Sequence, residues 1–296
     1  MKVAVVGTGR MGSAMARSLA RAGSDCILQN RTPERAETLA GEPGARTVET
    51  PAEAAAEADV VITMLENQEA VEAAWTGPDG LLSGARPGLV LVDSSTVPPS
   101  VIQSIAARAQ AAGAGILDAP VSGSVPLAET GKLTIMVGGA AEDLERARPA
   151  LEQLATTIFH IGPLGTAAAL KLAVNTLIFA INQSVSEALV LAERAGIPRE
   201  VAYDVFAAGA AGSPFIGYKK PSFMDPDGAP VTFSLDLTAK DLRLILELAD
   251  SLGAPMPQTR VNQEIVRAAT AQFGPDRDTS MVAEHLRTKA EEGVTA

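Results

Sequence analysis

The chain has few of the residues that build disulfide-linked, metal-binding or membrane proteins. It contains a single cysteine, Cys26, so an intramolecular disulfide and a cysteine-based zinc site are excluded. Its two histidines are His160 and His285; we expect neither to be catalytic, and we predict no metal site. No unbroken apolar run reaches the roughly 18 residues of a membrane span, so we expect no membrane partner. The scarcity of cysteine predicts a reducing, cytoplasmic location.

Positive charge is also in short supply. Lys and Arg number 24 against 35 Asp and Glu, which gives a formal net charge of −11 at pH 7. Because the phosphates of nucleic acids repel such a chain, we expect no nucleic-acid partner, and the charge favours solubility instead. Hydrophobic residues make up 47% of the 296 residues, which is ample for a large core. A chain of this length predicts two domains.

What the chain does have, directly after the apolar residues 3–6, is a glycine-rich turn before a helical pattern. In a dinucleotide-binding βαβ unit, Gly7 would make the tight turn and Gly9 would let the backbone approach the pyrophosphate. Gly12 would let the following helix pack on the strand, with its N–H groups facing the anion. The predicted cofactor-binding residues of this turn are Gly7, Thr8, Gly9, Arg10, Met11 and Gly12.

The end of the second predicted strand, residues 26–29, indicates which dinucleotide binds. An NAD-specific site places an acidic residue there to hold the ribose 2′-hydroxyl. Here Asn30, Arg31 and Thr32 occupy that place. Without a carboxylate the 2′-phosphate of NADP is not repelled, and the Arg31 guanidinium can form charge-assisted hydrogen bonds with it. The sequence therefore predicts NADP (NADPH) rather than NAD.

Strand and helix signals alternate up to about residue 160. Further buried strands are predicted at residues 59–65, 89–93, 115–120, 133–137 and 157–160. Short apolar runs separated by helices predict parallel strands covered on both faces, and so an α/β fold with a doubly wound Rossmann sheet. Ligands bind at the carboxyl ends of such strands, where we expect Met64, Leu65 and Thr96 to contact the cofactor.

The pattern changes to helices alone from about residue 165. Residues 166–195 contain no Pro or Gly and predict one interdomain helix of roughly 45 Å at 1.5 Å per residue. This helix is apolar around most of its circumference, so we expect it to be buried on several sides and to form the spine of a homodimer, with a tetramer as the alternative. Further helices are predicted at 200–208, 237–252 and 257–271.

The sequence thus predicts two domains with distinct tasks. The first, residues 1–163, is an NADP-binding Rossmann domain. The second, residues 164–296, is an all-helical domain for substrate binding and dimerisation.

Three further segments resemble the signatures of the β-hydroxyacid dehydrogenase family. They are D-A-P-V-S-G at 118–123, G-P-L-G at 162–165 followed by Lys171 and Asn175, and K-D-L at 240–242 preceded by Phe233. With the glycine-rich turn and D-S-S-T at 93–96, the resemblance covers nearly the whole chain. It implies a Rossmann domain plus a helical domain. It also implies an activity like that of 3-hydroxyisobutyrate dehydrogenases, tartronate semialdehyde reductases and glyoxylate/succinic semialdehyde reductases.

The resemblance also implies roles for individual residues. Lys171 and Asn175 lie four residues apart, on one face of a helix. The Lys171 ammonium can donate a proton to a carbonyl oxygen or accept the alcohol proton in the reverse direction, and Asn175 can hydrogen-bond the same oxygen or fix the lysine. Ser122 and Gly123 would supply a hydroxyl and backbone N–H groups for a substrate carboxylate. Lys240 would reach the bound cofactor from the helical domain.

Two alternatives stay open beside a dehydrogenase of small carboxylates or aldehydes. Imine reductases share the architecture but usually have Asp or Tyr in place of Lys171, and a non-catalytic nucleotide-binding dimeric scaffold has lost the lysine, so Lys171 disfavours both. The chain also departs from the family pattern where Gly, Gly and a second Asn are common. Those positions hold Ser124, Ala167 and Val174, which leaves the exact substrate open.

Overall fold

The chain divides into two compact units, Met1–Lys171 and Leu172–Ala296. The computed structural model describes residues 1–292, so residues 293–296 lie outside the description below. The division falls inside helix α8 (Thr166–Arg194), which is 29 residues long. The boundary predicted between residues 163 and 164 lies just before this helix and stays a prediction.

The first unit is built on a nine-stranded sheet. Its strands are β1 (Lys2–Val6), β2 (Asp25–Gln29), β3 (Ala45–Thr47), β4 (Val60–Thr63), β5 (Val90–Asp93), β6 (Gly115–Asp118), β7 (Val121–Ser122), β8 (Leu133–Gly139) and β9 (Ala155–Gly162). Their spatial order is β3-β2-β1-β4-β5-β6-β8-β7, with β9 paired to β8. Strands β1 to β6 run parallel. The predicted doubly wound Rossmann fold is therefore confirmed.

The expectation of parallel strands throughout is wrong for β8. It runs antiparallel to both β6 and β7, and only β9 is parallel to it. The chain between β6 and β8 holds β7 and the five-residue helix α6 (Val125–Glu129) rather than a helix long enough to cross a sheet face, so it reverses direction beside β6. Strand β3 was not predicted, because none of its residues is fully buried and it has no apolar run.

Helices cover both faces of this sheet. They are α1 (Arg10–Arg21), α2 (Pro33–Glu37), α3 (Pro51–Glu57), α4 (Gln68–Thr76), α5 (Pro99–Ala111), α6 and α7 (Ala141–Leu151). Successive residues of β1 alternate between two cores: Val3 and Val5 pack on one face. Ala4 and Val6 pack on the other. Since side chains of a strand point to opposite faces in turn, all residues of β1 after the exposed Lys2 are buried.

Cys26 illustrates how dry this sheet is. It lies on β2 with no exposed surface. Burial, with a smaller contribution from the Asp25 carboxylate, raises the pKa of the Cys26 thiol to about 11. The sulfur therefore stays protonated and unreactive at neutral pH.

The second unit is helical, as predicted. After α8 it contains α9 (Arg199–Ala208), α10 (Pro214–Met224), α11 (Leu235–Leu252), α12 (Pro257–Phe273) and α13 (Met281–Glu292), and no strand occurs among residues 172–292. The sequence did not predict α10, whose Gly217 and Pro221 are poor helix formers. Tertiary contacts outweigh that propensity. Lys219 on α10 forms a buried ion pair with Asp278, with Nζ 2.6 and 2.8 Å from the two carboxylate oxygens.

Helix α8 is long and apolar, and part of it is exposed within one chain. By length and composition it is the one helix within residues 1–292 that could cross a membrane, although Asn175 and Asn182 keep its unbroken apolar runs short. Only 39% of its most apolar window is buried, so burial on several sides is not observed within one chain. Leu177 and Leu191 are 66% and 72% exposed. One side of α8 is therefore apolar and uncovered.

Candidate active site

The glycine-rich turn packs so tightly that two of its glycines admit no side chain. Gly7 has a φ of +95°, and a Cβ there would overlap the carbonyl oxygen of Met64. A Cβ at Gly12 would overlap the carbonyl of Gly7 where α1 crosses the turn. Gly9 differs, because it directly precedes α1 and a Cβ there would meet nothing within 4 Å. Gly7 and Gly12 are therefore needed for packing, whereas Gly9 leaves open space at the helix N-terminus.

Residues at the end of β2 contact this turn. The backbone N–H of Thr8 donates to Asn30 Oδ1 at 3.0 Å, and Asn30 Nδ2 donates to the carbonyl of Thr32 at 2.9 Å. Arg31 lies between them with an exposed side chain. No hydrogen bond or ion pair to another part of residues 1–292 holds its guanidinium. Asn30 thus fixes the loop, and Arg31 is left available to an anionic ligand.

The loops after β4 and β5 are joined by a serine hydroxyl. Met64 and Leu65 follow β4, and Thr96 follows β5. The backbone N–H of Leu65 donates to Ser95 Oγ at 2.9 Å, and Ser95 Oγ donates to Asp93 Oδ1 at 2.7 Å. The loop that carries Leu65 is therefore held to the loop of Thr96 by Ser95 and Asp93, which belong to the D-S-S-T motif but were not among the predicted site residues.

Asp93 is the centre of this buried network. Thr63 Oγ1 donates to its Oδ1 at 2.6 Å, and the Trp75 indole donates to Thr63 Oγ1 at 3.3 Å. Burial raises the pKa of Asp93 to about 6, against the hydrogen bonds from Thr63 and Ser95 that lower it, and the nearby Asp118 carboxylate raises it further. A carboxyl group buried at the carboxyl edge of the sheet therefore has its pKa raised to about 6.

Asp118, at the end of β6, holds the start of α8. Its Oδ1 accepts the backbone N–H of Gly165 at 2.8 Å, and its Oδ2 accepts that of Ala168 at 2.7 Å. Burial raises the pKa of Asp118, while these N–H groups act to lower it. Lys171 follows Ala168 by three residues on the same helix. The first turn of the helix that carries Lys171 is therefore fixed to the carboxyl edge of the Rossmann sheet.

Ser122 and Gly123 lie at the end of the short strand β7. Ser122 is half-buried and paired with Thr134 of β8. Gly123 has a φ of +141°, and a Cβ there would lie 2.8 Å from Leu133 Cδ2. Only glycine fits this turn without displacing a core side chain. The role of Ser122 and Gly123 in binding a substrate carboxylate stays a prediction.

In the second unit, Asp241 connects two of the predicted site residues. Asn175 Nδ2 donates to Asp241 Oδ2 at 2.7 Å, and Lys240 Nζ lies 3.1 Å from Asp241 Oδ1. Both Asn175 and Asp241 are buried. Phe233 lies close by in sequence and stacks at a tilt on Phe179 of α8, with ring centroids 5.9 Å apart. The Asp241 carboxylate thus fixes the orientation of the Asn175 amide.

Two family models together match almost the whole chain. Residues 2–162 match the NAD binding domain of 6-phosphogluconate dehydrogenase, and residues 165–286 match the NAD-binding domain of NADP-dependent 3-hydroxyisobutyrate dehydrogenase. The chain belongs to the β-hydroxyacid dehydrogenase family. It is therefore an NAD(P)-binding oxidoreductase, and the resemblance inferred from its motifs is confirmed.

Similarity to individual members of the β-hydroxyacid dehydrogenase family extends over their full architecture. The chain is 33% identical to glyoxylate/succinic semialdehyde reductase 2 of Arabidopsis thaliana, over 97% of this chain and 80% of that protein. It is 32% identical to 3-sulfolactaldehyde reductase of Escherichia coli, over 99% and 98%. The crystal structure of 3-hydroxyisobutyrate dehydrogenase from Salmonella typhimurium is 29% identical, with a TM-score of 0.88 over 96% of this chain and 99% of that one.

The residues of the first unit fit the dinucleotide that the family binds. The hydroxyl of Thr8 is buried, and its Oγ1 has no hydrogen-bond partner within residues 1–292. Beside it, the open space at Gly9 lies at the N-terminus of α1, where the N–H groups of a first helical turn favour an anion. An orphaned hydroxyl next to an uncovered helix N-terminus is what a pyrophosphate would complete.

The structure brings most of the predicted cofactor residues to one sheet edge, but their roles stay predictions. The residues that follow neighbouring parallel strands are Gly7 to Gly12, Asn30 to Thr32, Met64, Leu65 and Thr96. Sequence reasoning missed three carboxylates that hold this machinery: Asp93, Asp118 and Asp241. Asp93 ends a predicted strand and Asp118 lies within one, and all three lie inside segments already singled out as motifs, so their position was visible although their partners were not.

We expect the fluorescence of Trp75, the single tryptophan, to report the protonation of Asp93. Its indole contacts Thr63, which donates to Asp93, so protonation of the carboxyl rearranges the hydroxyl beside the indole. Emission of the free enzyme should change with a midpoint near pH 6, the pKa of Asp93. The control is Asp93→Asn, in which this transition should vanish. Emission that stays flat in the native chain through the mildly acidic range would contradict the assignment.

Proposed function

We propose that the protein is an NADP-dependent oxidoreductase that interconverts a small β-hydroxyacid and its semialdehyde, with Lys171 as the general acid and base. The observation that carries this proposal is the place of Lys171. It follows the turn of α8 whose N–H groups bind Asp118 at the carboxyl edge of the Rossmann sheet. Ligands of doubly wound sheets bind at that edge. Lysine is also a group that can both give and take a proton.

When bound, NADPH supplies the hydride that reduces the carbonyl carbon. The chain's own residues would handle the oxygen: the Lys171 ammonium donates a proton to it, and in oxidation the neutral amine accepts the alcohol proton. Asn175, held by Asp241, would orient the same oxygen with its amide. Ser122 and the backbone at Gly123 would bind the carboxylate of the substrate. The named relatives reduce semialdehydes and sulfolactaldehyde, which supports a small anionic aldehyde as substrate.

Several features support NADP over NAD. Strand β2 is followed by Asn30 rather than a carboxylate, and Asn30 accepts a hydrogen bond from the glycine-rich turn. Arg31 is exposed beside it. The family model that matches the second unit is also that of an NADP-dependent enzyme. A guanidinium with no internal partner among the described residues is suited to a bidentate contact with a 2′-phosphate.

The two alternative functions are disfavoured by the same side chain. An imine reductase and a non-catalytic scaffold would each dispense with a lysine at this position. Lys171 lies on a largely apolar helix, where a charged side chain carries a desolvation cost. The presence of a lysine one turn beyond the Asp118 contact supports a catalytic role for Lys171.

The uncovered side of α8 supports a homodimer. Four of its exposed positions, Ala173, Leu177, Ser184 and Leu191, recur at intervals of four and seven residues, which aligns them along one helix face; the exposed Glu187 lies on the same face. Small and apolar side chains in such a stripe suit a second copy of the same helix packed against it. The same arrangement follows from the sequence, in which this helix is apolar around most of its circumference and one helical domain is too small to cover it.

Removing Lys171 tests the enzyme proposal. Lys171→Ala should lower the turnover number by about 10²–10⁴ in steady-state assays with small semialdehydes. NADPH binding should stay nearly intact, because the phosphates are held elsewhere. Lys171→Arg should rescue little, since a guanidinium does not readily release a proton. The control is Lys289→Ala, which removes an exposed ammonium from α13. Full activity of Lys171→Ala on every accepted carbonyl would overturn the proposal in favour of imine reduction.

Replacing Arg31 tests the choice of cofactor. Arg31→Ala should raise KM for NADPH about 10- to 100-fold, from a loss of roughly 1.5–3 kcal/mol of charged hydrogen bonding, and leave KM for NADH almost unchanged. Arg108→Ala is the matched control, because it removes an exposed guanidinium from α5 without approaching β2. Equal losses with the two cofactors would show that Arg31 does not bind the 2′-phosphate.

A charge on α8 tests the dimer. In sedimentation at micromolar concentration, the native chain should be a dimer and Leu177→Glu should be monomeric, because the new carboxylates would be buried against each other. Leu252→Glu is the matched control: that leucine is 71% exposed at the end of α11, so dimerisation should persist. A native chain that sediments as a stable monomer would refute this arrangement.

A further inference from the structure

Among the hydrogen bonds of the described residues, Asp118 is the one carboxylate of the Rossmann sheet that binds the first turn of α8. Its two oxygens accept separate backbone N–H groups, from Gly165 and Ala168, at 2.8 and 2.7 Å. The side chain of Asp118 is 1% exposed. Hydrogen bonds from N–H groups to a carboxylate are short and about twice as strong as neutral ones. The helix start is therefore held at two points.

This geometry conflicts with a role in substrate binding. The segment 118–123 resembles a substrate-binding signature, yet Asp118 is buried and both its oxygens are engaged. Gly138 on the neighbouring strand β8 closes the remaining side, since a Cβ there would overlap Asp118 Oδ1. A carboxylate without exposed surface cannot bind a substrate. The acid at the start of the motif has another task.

A second contact holds the chain just ahead of α8. Gln103 Nε2 on α5 donates to the carbonyl of Leu164 at 3.0 Å. Gly165 itself has a φ of +93°, so the chain turns sharply between this contact and the helix. The turn fixes where the helix begins, and the Asp118 bonds fix its direction at the first turn. Lys171 comes one turn later, close enough that its placement depends on both.

We infer that Asp118 is a positioning residue that sets the place of the Lys171 ammonium through the first turn of α8. This inference rests on the proposed function, because it gives Lys171 the proton transfer. An ammonium displaced by about 1 Å from the carbonyl oxygen loses on the order of 10²-fold in rate, even when it remains present and charged. Asp118 would therefore affect turnover without touching substrate or cofactor.

The test is Asp118→Asn, measured alone and together with Lys171→Ala. Asparagine keeps the shape but offers one acceptor oxygen and turns an NH₂ toward the second N–H group. We expect turnover to fall by about 10- to 100-fold, while the dissociation constant of NADPH, from titration of the folded protein, stays within about twofold. In the Lys171→Ala background the same change should lower the residual turnover by less than about threefold, because the group it positions is gone.

Two further variants separate positioning from a general loss of folding. Thr50→Ala removes the Thr50 hydroxyl that accepts the Glu53 N–H at the start of α3, a helix that carries no predicted site residue. It should lower the melting temperature and leave turnover unchanged. Gly138→Ala keeps the carboxylate but displaces it, so it should reproduce the turnover loss of Asp118→Asn in the fraction that binds NADPH.

The outcomes distinguish this inference from the proposed function. If Lys171→Ala is inactive and Asp118→Asn retains full turnover per NADPH site, the positioning role is refuted and the enzyme proposal stands. If Asp118→Asn lowers turnover by the same factor with and without Lys171, Asp118 acts independently of the lysine and the inference is again refuted. If Lys171→Ala is fully active, the proposed function fails first.

Discussion

Two aspartates buried side by side at the carboxyl edge of the sheet are the constraint on which the site depends. Asp93 of β5 and Asp118 of β6 are register partners, and each is 1% exposed. Burial of a carboxylate costs several kcal/mol unless directed hydrogen bonds compensate. Here the compensating hydrogen-bond donors belong to the loops and the helix that carry the predicted site residues. Asp93 binds the hydroxyl that ties the loops after β4 and β5, and Asp118 binds the first turn of α8. The hydrogen bonds that compensate the two buried carboxylates thus also hold these loops and the start of α8 in place.

The sequence predicted the elements whose signal is local. The run before the glycine-rich turn and the apolar residues of β2, β4 and β5 give parallel strands buried on both faces, because they carry no polar alternation. The same reasoning failed for β8, since antiparallel pairing depends on what lies between two strands and not on the strand itself. It missed α10 as well, where the buried contact of Lys219 with Asp278 outweighs Gly217 and Pro221.

The candidate site was predictable where residues act through their own type. Glycines at a tight turn, an arginine in place of an acid, and a lysine on an apolar helix each have a chemistry that can be named from the sequence. The carboxylates could not be assigned in this way. Asp118 opens the motif that contains Ser122 and Gly123, but the sequence assigned it no role of its own, and only its two backbone partners, about fifty residues further along the chain, reveal its use.

The complete burial of Cys26 on β2 has a practical consequence for chemical labelling of this protein. Since Cys26 is the single cysteine, has no exposed surface and has a pKa of about 11, the native chain offers maleimides and disulfide reagents almost no thiolate. A cysteine engineered at any exposed position would then be the one sulfhydryl that reacts. Spin labels, fluorophores or crosslinkers could be attached site by site without first mutating the native residue, so that the sheet remains undisturbed while distances elsewhere are measured.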